Sequence, residues 1–241
     1  MTDTPSAGPG STPPSDSRGV RDDRAAWGAV SAGESRWPPV LAVVVAIALQ
    51  VVLPESLLVA LGPRWLVPAV EGVLLVALLI ANPHQVDRAE SNLRLLSLAM
   101  IAVITVANVI ALGELILALL DHTSAEGRTL VFASVPIWLT NVIAFGLWYW
   151  EIDRGGVTAR MLPGHREPDF LFPQMATPDL FPKPIQPGFV DYFYISFTNA
   201  AAFSPTDTMP LTSRAKLLML AEAGISLLTL LMVASRAVNI L

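Results

Sequence analysis

Four charged side chains stand inside otherwise apolar stretches of this chain: Glu71, Glu114, Glu222 and Arg236. Carboxyl groups in such surroundings carry protons or hold cations, and each is costly unless it is paired, protonated or close to water. Glu71, Glu114 and Arg236 are expected to approach one another, so that a Glu–Arg cluster offsets their burial, while Glu222, six residues beyond Lys216, is expected at the interface. His84, His122 and His165 fall in three separate polar connections, so a shared metal site is not expected. Acid–base chemistry outside the apolar stretches would have to come from His165, Asp169 and Asp179, which follow no catalytic motif. There is no cysteine, which excludes disulfides and thiolate chemistry. The sequence has no Gly-rich phosphate loop, no His pair at metal spacing and no nucleophile beside a base, and no cofactor is implied.

The elements that carry these residues read as membrane helices. Residues 1–36 are rich in Thr, Ser, Pro, Gly and Asp without an apolar period and read as a disordered tail. Residues 37–152 read as a four-helix transmembrane region: Trp37 to Leu53 with Pro38 and Pro39 in its first turn, Trp65 to Ala81, Leu93 to Leu120, and Thr129 to Trp150. Pro136 falls inside the fourth, and Trp148-Tyr149-Trp150 closes it as an interfacial aromatic anchor. Asn108, Thr140 and Asn141 lie in these apolar runs and are expected to hydrogen-bond between helices. Residues 153–188 form a Pro/Phe-rich loop in which Pro168-Asp169-Phe170-Leu171-Phe172-Pro173 is echoed by Pro178-Asp179-Leu180-Phe181-Pro182. Its large apolar side chains are expected to dock on the helix ends. Phe189 to Phe203 is too short to span and reads as a re-entrant or interfacial half-helix. A polar turn and a last helix, Arg214 to Ile240, complete residues 189–241. The fold class is therefore all-α and polytopic, with about five transmembrane helices plus the half-helix.

Composition agrees with this reading. Of 241 residues 53% are hydrophobic and 15% charged, against about 25% charged in soluble domains. The net charge of −5 argues against a nucleic-acid partner, which needs a basic face.

Tyr194-Ile195-Ser196-Phe197, then Asp207, Pro210, Thr212, Arg214, Glu222 and Arg236, resemble the pore helix, filter loop and inner helix of two-helix-type bacterial potassium channels. The stretch also resembles uncharacterised bacterial integral membrane proteins that keep this hairpin without the filter. The resemblance covers about 50 residues and implies a channel-like hairpin in a homo-oligomer, a tetramer if it forms a pore. The filter itself is lost. Its counterparts are Ala202-Phe203-Ser204-Pro205-Thr206, with neither of the glycines that let consecutive carbonyls face an ion. A wider constriction lined by Asn199, Ser204, Thr206 and Asp207 is the pore reading; a plain turn capping the last helix is the other.

With five spans, one side receives Arg18, Arg21, Arg24, Arg36, Arg88, Arg94, Arg154, Arg160, Arg166, Lys183, Arg214 and Lys216, and the other Arg64, Arg128 and Arg236. That bias places the N-terminus in the cytoplasm of a cell (inner) membrane. A potassium-channel hairpin would need the opposite orientation; the lopsided charge distribution is given the greater weight. Sequence alone thus leads to an ion-permeation protein without potassium selectivity, or a non-conducting scaffold that meets protein partners through its 153–188 loop and tail.

Overall fold

A computed structural model describes residues 34–81, 91–120, 127–160, 167–177, 186–202 and 207–240, which are mostly helical. The first helix, α1 (Trp37–Val52), starts on two prolines, where missing N–H groups cost little, and stops at Leu53 before Pro54. Two 3₁₀ turns (Glu55–Leu57, Val59–Leu61) lead through Gly62, at φ 79°, to α2 (Leu66–Ala81). Then come α3 (Ser91–Leu120) and α4 (Gly127–Ile152), whose Pro136 frees one backbone carbonyl. Two single turns, α5 (Val157–Arg160) and α6 (Pro173–Ala176), punctuate the following loop. The half-helix α7 (Phe189–Ala202) and the long α8 (Ser213–Ile240) close the chain. A two-residue antiparallel ladder joins β1 (Phe170–Leu171) to β2 (Met209–Pro210), with Phe170 opposite Pro210.

Among the described residues three helices are long and apolar enough to cross a membrane: Asn92–Leu120, Val131–Gly155 and Ser213–Ala234. The chain is accordingly a membrane protein. The helices Trp37–Val52 and Leu66–Ile80 are apolar but shorter.

Side-chain contacts fix the helix directions. Arg94, near the start of α3, meets Glu151 at the end of α4 at 3.7 Å, so these two helices run antiparallel. Glu34, just before α1, meets Arg160 beyond α4 at 3.0 Å, so α1 begins at the end where α4 finishes. Val43 and Ala46 pack with Ile101, Ile104 and Leu147 at that end, called the loop end here. Leu53 and Leu57 pack with Leu112, Leu115 and Ile137 at the far end. Thus α1 with its 3₁₀ extension runs beside α3 through the depth of the bundle.

Helix α4 is the hub. Two thirds of its span (67%) is buried, against 22% for α8, and α1, α3, α7 and α8 all pack on it. The half-helix lies antiparallel to α4: Phe189 meets Trp150 edge-on at 6.0 Å and Phe197 meets Trp138 at 5.6 Å. Gly146 permits the close approach, because a Cβ there would stand 3.2 Å from the Phe193 Cα. The structure therefore predicts that Gly146→Val forces α7 off α4 and costs roughly 1–3 kcal/mol. Gly72→Ala on α2, with nothing within 4 Å of the added carbon, should leave stability unchanged or raise it. Thermal unfolding in detergent compares the two.

Candidate functional site

Glu222 is fully buried at 0% exposure, where α4, α7 and α8 meet. Its side chain, expected at the membrane interface, turns inward within the protein, where α4 and α7 offer it partners. The Tyr149 hydroxyl donates to Oε2, and the Asn199 amide donates to the same oxygen at 2.7 Å. Asn199 also donates to the Met219 carbonyl at 2.9 Å, which fixes its amide orientation. The Ser196 hydroxyl oxygen lies within hydrogen-bonding reach of Glu222 Oε1 and, at 2.7 Å, of the Val142 carbonyl. One turn deeper, the Asn141 amide donates to Ser226 Oγ at 2.9 Å and to the Glu222 carbonyl at 3.3 Å. The packed stripe of α8 is therefore Ala215, Met219, Glu222, Ser226 and Thr229, while Leu217, Leu220, Leu227, Leu228, Leu230 and Leu231 face outward. Polar residues point in and apolar ones out, as a membrane helix requires.

A second polar group occupies the loop end. Asp153, Arg154, Arg160 and Asp169 are each at most 2% exposed. Asp169 binds Arg214 through two bonds, of 2.6 and 2.9 Å, and accepts from Thr212 at 2.6 Å. Its own N–H donates to Asp153 Oδ1 at 2.7 Å, and Tyr192 donates to Asp153 Oδ2 at 2.7 Å. Arg154 adopts a left-handed backbone (φ 54°), a conformation that side-chain-bearing residues rarely hold. Its N–H reaches Asp169 at 3.2 Å, and its guanidinium reaches Asp153 and Gln186, both at 3.1 Å. Arg160 binds Glu34 and donates to the Trp150 carbonyl at 2.6 Å. Burial works to lower its ionisation, but Tyr192, Glu34 and Asp153 outweigh that and hold the guanidinium above its ordinary range.

The residues singled out by sequence meet different fates. Asn199 joins the Glu222 cluster, whereas Ala202 and Asp207 are exposed. Phe203, Ser204, Pro205 and Thr206 lie outside the described residues, as do His84, His122, His165, Asp179 and the second copy of the Pro–Asp repeat. Glu71 is fully buried and accepts from Gln50 at 2.9 Å, while Glu114 on α3 is half-buried. The side chain of Arg236 lies outside the described residues, so the expected cluster of Glu71, Glu114 and Arg236 is not among the contacts seen. Asn141 does join two helices as expected. The loop's Phe170 and Phe172 dock against Tyr149 and Tyr192, again as expected. The Trp148-Tyr149-Trp150 triplet is tied into the fold by its hydrogen bonds. Trp148 donates to Thr105, Tyr149 to Glu222 and Trp150 to Glu34, so all three polar atoms are used inside the fold. Sequence reading missed Tyr149, Ser196 and Ser226 as cluster members. Their signal was helical spacing: Val142 and Tyr149, like Ser196 and Asn199, share a face.

Among the described residues no group of His, Cys, Asp or Glu is placed to hold a metal ion. Comparison with family models, with curated proteins and with solved structures found no match. What the chain does must therefore be argued from its own geometry.

The Asp169–Arg214 pair ties the loop to the start of α8. Removing one partner of a buried pair is strongly destabilising, and half-exposure of Arg214 lessens the effect, so Asp169→Ala should cost about 2–4 kcal/mol. A double-mutant cycle with Arg214→Ala should show strong coupling, and limited proteolysis should cut the variant's loop faster than the wild type's.

Proposed function

We propose that this chain is a five-span membrane protein that forms a channel-like, ion-permeable homo-oligomer around α7 and α8, without potassium selectivity. The observation that carries the reading is the hairpin geometry. Phe189 and the β2 turn both lie at the loop end, while Asn199 and Glu222 meet deeper in the bundle. Helices α7 and α8 therefore enter from one end and run in the same direction, as the pore and inner helices do in the channels that residues 194–236 resemble. The outward leucine face of α8, most of it unburied in one copy, is available to lipid or to further copies.

The five-span count has its own support. Glu34 and Arg160 are paired, so an even number of crossings separates them. Helices α3 and α4 supply two, so α1 and α2 cross together or not at all. The contacts of α1 with α3 from Val43 to Leu57 favour crossing, even though each helix is short. The basic residues near the loop end, among them Arg36, Arg94, Arg214 and Lys216, favour a cytoplasmic loop end in a bacterial-type inner membrane.

A second reading, a non-conducting scaffold, is favoured by one observation. The ion-paired loop end is a rigid platform rather than a linker, as suits a partner-binding surface. Reconstitution separates the two. The permeation reading expects sodium, potassium or proton flux above protein-free liposomes and a multimer in detergent. Flux no greater than in empty liposomes, from a chain that stays monomeric, would leave the scaffold.

A further inference from the structure

Counting hydrogens in the Glu222 cluster gives a result that does not depend on the permeation reading. Ser196 has one hydroxyl hydrogen, yet its oxygen is in hydrogen-bonding contact with two acceptor-type oxygens, the Val142 carbonyl and Glu222 Oε1. A carbonyl has no hydrogen to give. If Ser196 donates to Glu222, its oxygen faces the Val142 carbonyl at 2.7 Å with no hydrogen between them. If it donates to Val142, the contact with Glu222 needs a hydrogen from the carboxyl group.

The other oxygen is already supplied. Tyr149 gives its one hydrogen to Oε2, and the two amide hydrogens of Asn199 go to Oε2 and to the Met219 carbonyl. Placing a proton on Oε2 would not relieve Ser196. A single arrangement gives each of these contacts its own hydrogen: a proton on Oε1 donated to Ser196, whose own hydrogen goes to Val142.

We infer that Glu222 is a proton-binding site: it holds a proton on Oε1 and, through Ser196, that proton joins α8, α7 and α4 in one hydrogen-bonded chain. The groups facing Glu222 are Asn141 and Tyr149 from α4, Ser196 and Asn199 from α7, and Ser226 from α8. None is a cation, and no ion pair to Glu222 occurs among the described residues. A neutral acid avoids leaving an uncompensated charge inside an apolar bundle. Loss of the proton leaves the one Ser196 hydrogen to be divided between Val142 and Glu222. The proton is therefore the ligand that locks the half-helix to its neighbours.

Infrared spectroscopy of the full chain in lipid, at neutral pH, tests this. The wild-type minus Glu222→Gln difference spectrum should show the carbonyl stretch of one neutral carboxylic acid, shifting on exchange into heavy water. The amide supplies both a donor and an acceptor, so this variant should melt within about 4 °C of the wild type. Carboxylate stretches in place of the acid band would overturn the assignment. Should Glu222→Gln fail to fold, Ser196→Ala gives an independent reading. It removes the acceptor of the proposed proton, so the acid band should move to higher frequency. An acid region that Ser196→Ala leaves unchanged would equally overturn the proposal.

Discussion

Inside an apolar bundle every polar atom must find its partner within the protein, because no water is there to supply one. Helix α4 meets that constraint for most of the chain. Its Asn141 and Tyr149 turn toward α8, its Val142 carbonyl turns toward α7, and Trp148 above them reaches Thr105 on α3. These bonds fix the rotation of α7 and α8 about their axes, since a small turn of either would strand Asn199 or Glu222 without partners. Interhelical bonds of this kind contribute roughly 0.6–2 kcal/mol each. Their larger effect is to leave few other arrangements of the helices in which these groups are satisfied.

The loop end answers a related constraint with charged groups. Two carboxylates, Asp153 and Asp169, sit side by side at 0% exposure. They are tolerated because Arg154, Arg214, Tyr192 and Thr212 surround them with donors. The left-handed turn at Arg154, followed by Gly155 and Gly156 at positive φ, aims the Arg154 N–H at Asp169. Such backbone strain costs about 1–3 kcal/mol, and the bonds around it offset that cost. The outcome couples three places distant in sequence: the residues before α1, the loop after α4 and the turn before α8.

Much of this was legible in the amino-acid order. Apolar runs bounded by Pro, Asn and charged residues marked the helices to within a few residues. The short helix before the last one was legible too, and its Phe189–Ala202 bounds follow the expected stretch. Asn141 and Glu222 drew notice as polar residues in apolar settings, and Asn199 as a lining residue of the pore reading. Tyr149 did not, because an aromatic triplet at a helix end has the same composition whether it faces a headgroup layer or a buried acid. The Asp169–Arg214 and Glu34–Arg160 pairs were illegible for a different reason: their partners are 45 and 126 residues apart, and nothing local specifies them. For Glu222 the nearby Lys216 was visible in sequence, whereas the donors on α4 and α7 that draw its side chain inward were not.

The proposed arrangement has α1 and α2 crossing as a pair, with the loop and the turn before α8 on one side and residues 55–64 on the other. The chain has no native cysteine, so single cysteines at Glu55, Ala176 and Asp207, all exposed in the bundle, report sidedness directly. Labelling intact cells with a membrane-impermeant maleimide should mark Ala176 and Asp207 alike and Glu55 oppositely. Glu55 behaving like Ala176 would mean that α1 and α2 do not cross. Asp207 behaving like Glu55 would mean that α7 crosses fully, and either result would contradict the arrangement described.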